Sequence, residues 1–494
     1  MVANAATCRC TRTPHKGRTG MFSIRRLIAA ATVSGVTLIA AATVSGVTLI
    51  AAGAAQASSF YIRTGQGAEG VGLQFAGGAS GGIGLASIGW NPATMTMFPG
   101  RQSNWNAALI YPQASYSIDA PSRLYPAGAP AGFTLPNPQQ TPVGEIGGEG
   151  VVVPSSYSVY QVTDQLWVGL ATGAPWGLRS KAENLNSAGQ VYGRSSKVRS
   201  YNASPSVAYQ VTPWLSLGAA AQIQYFKVEL KQASPFLGQT GPLAALTAVS
   251  PNAPSSILEG FDVSYGYRLG ATITPWTGGT FGIGYRSMVR HELSGDLTQP
   301  TTLGTGVDIP IRANLTLPES VLLGFSQQIT PDLQVHLGYE WTNWSRFSRI
   351  PVRSTANDQV LTSLNFEYSD AHYFSAGLEY AFNPFLTLRG GVSYEQSAVT
   401  DRVRTTRISD NDRWGVSAGV GYKLSNRFAV DVSYAHYFIK DAPVNIVPGH
   451  PSFSGVSYQG VAKPSVDVLA VGLTYRWDEP AVVAVEERPL IRKF

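Results

Sequence analysis

The stretch that decides the fold is VDVLAVGLTYRW, residues 466–477. Large apolar residues occupy every second position, and small or polar residues stand between them; the large set is Leu469, Val471, Leu473, Tyr475 and Trp477. A period of two places alternate side chains on opposite faces of a β-strand. The stretch therefore predicts a strand with one face against an apolar environment.

The same alternation recurs along the chain beyond residue 100. About fourteen segments share it, at roughly 104–117, 149–162, 165–179, 197–211, 214–230, 261–275, 279–294, 315–330, 332–350, 369–382, 384–400, 411–424, 426–440 and 463–477. Many are ten or more residues long, as a tilted membrane crossing of about 9–11 residues requires, whereas globular strands average about 5–6. A soluble sandwich is the alternative, and this length counts against it.

Aromatic residues near the ends of the apolar faces also favour a membrane location, because such residues collect at the lipid interface. Lipid offers no hydrogen bonds, so strands that cross it must close on themselves. The sequence therefore predicts an all-β transmembrane fold, an antiparallel outer-membrane β-barrel of about 14 strands. Short polar turns such as Thr163-Asp164 should be periplasmic and the longer connections extracellular.

Charge and cysteine content exclude several classes of function. The first 57 residues carry six of the 36 Lys and Arg and no Asp or Glu, so the rest has 30 basic against 30 acidic residues. A neutral remainder gives no reason to expect a nucleic-acid partner. Both cysteines, Cys8 and Cys10, lie in the same leader, which excludes disulfides and thiolate sites beyond it. We expect no cofactor and no metal.

Residues 1–57 have the features of a secretory leader that is removed. Arg25-Arg26 precedes a long apolar stretch, and Ala55-Gln56-Ala57 forms a small-x-small cleavage site, so the mature chain should begin near Ser58. A retained transmembrane helix is the alternative, because the apolar stretch is long enough. Either Met1 or Met21 is the true start.

Residues 58–100 do not alternate. They are rich in glycine, poor in charge, and end in Trp90-Asn91-Pro92-Ala93 and Met97-Phe98. A disordered tail would be more polar, whereas glycine permits the tight irregular turns of a compact segment. We therefore predict that residues 58–100 form a plug inside the lumen of the barrel.

With these features the chain resembles the FadL-type family of outer-membrane transporters for long-chain fatty acids and aromatic hydrocarbons. The Gly-rich segment followed by Asn91-Pro92-Ala93 and a Met-Phe pair is similar to that family's plug. Further matches extend to residue 477; they are Val152-Val153-Pro154, Trp176-Gly177-Leu178, Leu317-Pro318-Glu319, Trp341-Thr342-Asn343-Trp344 and Asp410-Asn411-Asp412-Arg413-Trp414.

The resemblance implies passive uptake of a hydrophobic small molecule across the outer membrane of a Gram-negative bacterium, and no enzyme activity. It also implies sideways exit through the barrel wall at a kink in the third strand. Here that strand carries Gly173, Pro175, Trp176 and Gly177, and proline and glycine independently predict a break in pairing. An ordinary bulge near a strand end is the alternative.

The ligand residues that the resemblance implies are of two kinds. Phe60 and Tyr61 would reach into an inner pocket, unless they are aromatics of an exposed tail. Lys227, Lys231, Arg349 and Arg353 would meet a carboxylate, unless they are solvated side chains at strand ends. A long-chain fatty acid is the favoured ligand, and an aromatic or alkane hydrocarbon, which needs no cation, is the alternative.

The predicted organisation is a leader at 1–57, a plug at 58–100, a barrel at 101–477 and a periplasmic tail at 478–494. Besides the ligand, the expected partners are outer-membrane lipid and the barrel assembly machinery. A general porin would not need the Gly-rich segment. An outer-membrane enzyme would need a nucleophile motif, and none of the five histidines beyond the leader lies in one.

Overall fold

The computed structural model describes Tyr61, Arg63, and residues 67–147 and 150–478. Within this part of the chain, 14 antiparallel strands form one closed barrel. Each strand pairs with its neighbours in sequence, and the last closes on the first, with Ala107 opposite Val471. The fold predicted from the alternation of residues is therefore confirmed.

The first half of the barrel contains seven strands, some of them in two pieces. They are β1 Arg101–Ala120, β2 Glu145–Gly147 with Val151–Gln161, β3 Leu166–Gly173 with Gly177–Lys181, β4 Ser195–Thr212, β5 Leu215–Ala233, β6 Ser255–Trp276, and β7 Gly279–Arg286 with Val289–Pro300.

The second half has the same design. Its strands are β8 Gly306–Leu317 with Ser320–Gln328, β9 Leu333–Thr342 with Arg349–Ser354, β10 Val360–Asn365 with Ala371–Ala381, β11 Leu386–Gln396, β12 Arg413–Lys423, β13 Phe428–Ile439 with Ala442–Ile446, and β14 Tyr458–Arg476. Each predicted segment lies on one of these strands.

The helices are short and lie inside the barrel or in its loops. Inside are α1 Ala68–Gly72 and the 3-10 helices Gly78–Ser80, Gly84–Gly89 and Pro92–Met97. In the loops are the 3-10 helices Ala188–Val191 and Trp344–Arg346, the helix α2 Gly241–Val249, and a small hairpin of Arg123–Leu124 with Leu135–Pro136. Among the described residues, no helix combines the length and apolar character that a membrane crossing would need.

The two faces of the wall differ as the sequence predicts. On β14, Leu469 and Val471 are 47% and 46% exposed, whereas Val468 and Ala470, which alternate with them, are buried. A strict alternation through β7 would place Arg290 on the inner face with Arg286, but Arg286 is buried and Arg290 is exposed. The break in β7 at residues 287–288 reverses the alternation, and a period of two read across it assigns the wrong face.

Candidate functional site

The end of the barrel with the short turns, such as Thr163-Asp164, is called the lower end. Residues 67–97 fill the lower part of the lumen and are called the inner segment. The predicted plug motif, Asn91-Pro92-Ala93, is hydrogen-bonded to β6 and packs on Gly218 of β5. The Asn91 side-chain amide donates to the Ala79 carbonyl (2.7 Å) and to the Ala271 carbonyl (2.9 Å), and its oxygen accepts from the Ala93 amide (3.0 Å). Asn91 thus joins two turns of the inner segment to the wall.

Glycine on the inner face of the wall lets the inner segment lie directly on the strands. A Cβ placed at Gly282 would be 1.8 Å from the Ala79 oxygen, and one at Gly391 would be 2.4 Å from the Leu73 carbonyl carbon. Neither position can carry a side chain while the inner segment is in place, because the Ala79 oxygen and the Leu73 carbonyl carbon are backbone atoms and cannot rotate away.

Arg63 binds the start of the described chain to β9 and β11 of the wall. Its guanidinium donates to Glu340 Oε2 from Nε (3.0 Å) and Nη2 (2.9 Å), and to Glu395 Oε2 from Nη1 (3.1 Å). All three side chains are nearly inaccessible to water. Charge-assisted bonds of this kind are strong, and breaking them would leave buried charges without partners.

The wall is interrupted where the predicted gate residues lie. The lower piece of β3 ends at Gly173 and the upper piece begins at Gly177, with Pro175 and Trp176 between them. The Trp176 side chain is buried, and the Ser200 hydroxyl accepts from the Trp176 amide (2.8 Å) and donates to its carbonyl (2.7 Å). One hydroxyl therefore replaces the strand pairing that β4 would otherwise give this residue.

The interruption separates β3 from β2. Their last paired residues are Ser156 and Thr172, so residues 151–155 of β2 face no strand of the described chain on the side of β3. Toward the upper end of the barrel, the start of β2 meets the segment that follows β3, where the Glu183 amide donates to the Glu145 carbonyl (3.1 Å). The result is a bounded window in the wall, and Tyr61 pairs with Trp176 across it by an isolated bridge.

Above the inner segment lies an apolar cavity of about 50 Å³. Apart from Arg407, its lining is entirely hydrophobic: Val198, Phe226, Val228, Leu230, Leu258, Leu293, Ala313, Leu315, Leu317, Phe347, Ile350, Val352, Leu364 and Phe366. Tyr61 and Trp176 belong to the same buried cluster as these residues. A continuous apolar surface therefore runs from the cavity to the window in the wall.

A second, outer cavity of about 420 Å³ adjoins the apolar one. Leu364, Phe366 and Arg407 line both, so these three side chains separate the two spaces. The outer cavity also has polar lining, including Arg349, Thr362 and Gln232. Its volume is in the range typical of small-molecule sites, about 300–1,000 Å³.

Arg407 is buried, and its partners in the described part of the chain are neutral. Its guanidinium donates there to the Ser195 carbonyl, the Ser196 hydroxyl, the Lys231 carbonyl and the Gln232 side chain. Within the described chain no carboxylate pairs with it, although buried charges are normally paired. Burial lowers the pKa of Arg407 to about 10, so it still carries its charge at neutral pH.

The four basic residues expected at a carboxylate are placed differently. Lys227 and Lys231 lie on the outer face of β5, where they pair with Glu259 and Glu229. Arg353 pairs with Asp358, and only Arg349 reaches the outer cavity. The reason is the period of two: the inner positions of these strands are taken by apolar residues such as Phe226, Val228 and Val352.

Sequence reasoning missed Arg407 because it lies in the irregular connection between β11 and β12. Nothing in that connection alternates, so the pattern that located the wall does not indicate which side chains turn inward. A basic residue in a run of ordinary polar residues gives no signal for burial. Phe60, the other predicted ligand residue, lies outside the described residues, as do the predicted leader and the tail beyond Asp478.

The fold and the cavities define a class: an outer-membrane barrel whose lumen is occupied low down and lined with apolar residues higher up. The family described as "Outer membrane protein transport protein (OMPP1/FadL/TodX)" matches residues 48–477. The chain belongs to this family of outer-membrane transporters of hydrophobic molecules. The predicted location in the outer membrane of a Gram-negative bacterium is thereby confirmed, and the family is one of transporters and not of enzymes.

Individual relatives agree with this membership. Outer membrane protein P1 of Haemophilus influenzae is 26% identical over 407 residues, which cover 78% of this chain and 86% of that protein. A long-chain fatty acid transport protein of Salmonella typhi is 24% identical over 400 residues, covering 77% of this chain and 87% of the other.

Solved structures share the fold. A FadL homologue of Pseudomonas aeruginosa superposes with a TM-score of 0.73 at 22% identity, covering 86% of this chain and all of that one. The toluene transporter TodX of Pseudomonas putida gives a TM-score of 0.58 at 17% identity, covering 83% and 99%. These likenesses concern the barrel and leave the cargo open.

Proposed function

We propose that this transporter takes up long-chain fatty acids, which enter from the outer cavity, place the carboxylate at Arg407 and the alkyl chain in the apolar cavity, and leave through the window in β3. The observation that carries the proposal is Arg407, a buried cation whose partners among the described residues are neutral, at the edge of a cavity whose other lining residues are apolar. This pairing of a cation with an apolar surface matches a molecule with one acidic end and a long hydrocarbon chain.

The energetics favour each part of such a ligand. A carboxylate at Arg407 would replace bonds to neutral groups, and charge-assisted bonds are about twice as strong as neutral ones. Each CH₂ transferred out of water contributes about 0.8 kcal/mol. A cavity of about 50 Å³ is too small for a long chain, so Leu364 and Phe366, which separate the cavities, must move apart as the ligand enters.

Sideways exit is supported by the continuity of the apolar cluster. Trp176 packs with Tyr61, their ring centroids 5.2 Å apart, and with Trp344 at 5.6 Å. Val153 and Ala174 provide apolar residues at the window itself. A chain that moves along this surface passes from one apolar environment into lipid, whereas a vertical route would meet the inner segment with its buried charges.

The test compares ligands that differ only at one end. Purified protein is titrated with oleate and with oleyl alcohol, for the wild type and for Arg407→Gln. We expect the substitution to weaken oleate binding about tenfold or more, since a hydrogen bond to a charged group is worth about 1.5–3 kcal/mol, and to leave the alcohol nearly unchanged. Arg402→Gln is the matched control, because Arg402 lies in the same connection but is exposed and pairs with Glu367.

Aromatic or alkane hydrocarbons remain the second candidate. Trp344, Phe347, Phe366 and Tyr368 form a cluster of rings beside the apolar cavity, which suits a flat aromatic molecule. Such a ligand has no use for Arg407. If toluene binds more tightly than oleate and Arg407→Gln changes neither affinity, the hydrocarbon function replaces the fatty-acid one. Free passage of small ions through the intact protein would instead indicate a general porin.

A further inference from the structure

Arg286 lies at the inner end of the apolar cluster, beside the window in the wall. It ends the lower piece of β7 and turns its side chain inward, where it is 6% exposed. The guanidinium carbon lies 4.5 Å from the centre of the Tyr61 ring and 4.8 Å from that of Trp176. Arg286 therefore stands behind the two aromatic residues that meet across the window.

The hydrogen-bonding capacity of Arg286 is largely unused. Its Nε and Nη2 atoms are buried and have no hydrogen-bond partner among the described residues. The nearest carboxylate of the described chain is Glu340, whose Oε1 lies 3.9 Å from Nη2, too far for a hydrogen bond. The other oxygen of Glu340 already accepts two bonds from Arg63. Two donors of a buried cation are thus available to an anion.

The buried charges around Arg286 do not balance. Arg63 and Arg286 share Glu340, Arg63 and Arg413 share Glu395, and Arg413 also pairs with Asp410. Arg268 lies opposite Arg286 on β6 and, among the described residues, bonds to Gly89 and Gln222. In this set of described residues, four arginines against three carboxylates leave one positive charge. In an interior of low dielectric this excess attracts an anion strongly.

We propose that Arg286 is a second carboxylate-binding site, reached when Tyr61 swings away from Trp176. The inference rests on the proposed function, because the ligand is the same monocarboxylate that Arg407 receives. Arg407 holds the carboxylate while the chain enters the apolar cavity. Arg286 receives it next, at the window, where the unused Nε and Nη2 donors form a fork that matches two carboxylate oxygens.

The second site explains why one ligand would move inward at all. A carboxylate held only by Arg407 would keep the molecule at the outer end of the cavity. An attractive charge at the other end offsets the loss of the first contact, so the acid group does not have to cross an apolar region without a partner. A hydrocarbon would gain nothing from this arrangement.

The experiment measures uptake into proteoliposomes and equilibrium binding separately, each with oleate and oleyl alcohol. Arg286→Gln should slow oleate uptake about tenfold, leave oleyl alcohol uptake within about twofold, and leave oleate binding at the outer end within about twofold. Arg286→Lys keeps the charge and should retain an intermediate oleate rate. Arg290→Gln is the matched control, since Arg290 is exposed on the same strand.

A second variant keeps the test valid if Arg286→Gln fails to fold. Tyr61→Ala removes the ring that covers the guanidinium, and it should raise the oleate uptake rate several-fold more than the rate for the alcohol. An equal change for both ligands in either variant would mean that the residue acts by packing alone, and the inference would be wrong.

The two proposals fail differently. If the wild type takes up oleate with Arg407-dependent binding and Arg286→Gln behaves like the wild type, only the inner site is wrong. If the wild type takes up oleyl alcohol or toluene but not oleate, the fatty-acid function is wrong, and the inner carboxylate site is rejected with it.

Discussion

The lower and upper halves of the lumen are built by opposite rules. Below, the wall presents glycine, and the backbone of the inner segment lies on it so closely that a Cβ at Gly282 would be 1.8 Å from the Ala79 oxygen. Above, the wall presents large apolar side chains such as Phe226, Leu293 and Leu315, which face one another around a cavity.

This difference distinguishes a segment that stays in the lumen from a ligand that passes through it. Contact between backbones leaves no space and is fixed by hydrogen bonds such as those of Asn91, so it suits a segment that belongs to the chain. Facing apolar side chains hold a small space that can widen when their rotamers change, and they make no directional demands. The upper half of the lumen therefore suits a hydrophobic ligand of variable shape.

The largest effect is expected when a side chain is added to the wall in the lower half of the lumen. In Gly391→Val the new Cβ would meet the Leu73 carbonyl carbon at 2.4 Å, so the inner segment must leave its place. We expect the open lumen to conduct ions in planar bilayers, where the wild type conducts little. The neighbouring Gly390→Val is the control, since a Cβ there is 3.9 Å from the nearest atom. Equal conductance of the two variants would contradict the account.

A polar group in the upper half of the lumen should lower the affinity for ligand and leave the ion conductance unchanged. Leu315→Asn places an amide in a lining of apolar residues, where its hydrogen bonds are unmet at a cost of about 1–3 kcal/mol on protein scales. We expect oleate affinity to fall about tenfold or more. Leu323→Asn on the outer face of the same strand is the control, and isothermal titration of both variants is the measurement. An unchanged affinity for Leu315→Asn would remove the apolar cavity from the ligand site.

A smaller, pH-dependent effect should distinguish the lower half. Enclosure away from water, and then the Asp431 carboxylate, raise the pKa of Glu69 to about 8, while Arg389 opposes the shift and Glu379 adds to it. A folded-state pKa above the unfolded value means that the protonated form stabilises the packed state. That stability is complete below about pH 4.5, falls as the pH rises, and is lost through about pH 8.

Hydrogen exchange of the amides of α1, compared at the same pH, measures this effect. The protection of the wild type relative to Glu69→Gln should fall between pH 6 and pH 9, because the glutamine cannot ionise. A constant ratio across that interval would show that the protonation of Glu69 does not hold the inner segment.

The sequence predicted the wall far better than the site. Alternation at residues such as Leu469 and Val471 reflects contact of one strand face with lipid. Every strand has such a face, so the strands and their order could be predicted directly from the sequence. The break in β3 was predicted correctly because proline and glycine interrupt strand pairing for local reasons. Arg407 and Arg286 acquire their meaning from partners far away in sequence, and no local pattern shows that a cation lacks a carboxylate.

The outer end of β8 and the basic residues were predicted less well, for different reasons. β8 begins at Gly306, well before the predicted start at residue 315. Val307, Ile309, Ile311 and Ala313 already alternate with polar residues or proline, so the predicted start was wrong because this part of the pattern was overlooked. Lys227 and Lys231 share a strand face as their spacing predicts, but the choice between inner and outer face depends on which neighbours line the lumen.

The measurement that tests the central claim most directly is a reversible cross-link that keeps β2 and β3 from moving apart at the edge of the window. Residues 58–494 contain no cysteine, and a Cβ at Gly173 would lie 3.5 Å from the Cβ of Ser155, within the range of about 3.5–4.5 Å for a disulfide. The double variant Ser155→Cys, Gly173→Cys can thus join β2 to β3 at the window. Ser156→Cys with Thr172→Cys, where the strands already pair, is the control.

We predict that the oxidised double variant binds oleate as tightly as the wild type but takes it up at least tenfold more slowly. Reduction of the disulfide should restore the rate, and the control pair should respond to neither treatment. Uptake that continues at the wild-type rate with the disulfide formed would contradict sideways exit and with it the account given for the upper half of the lumen.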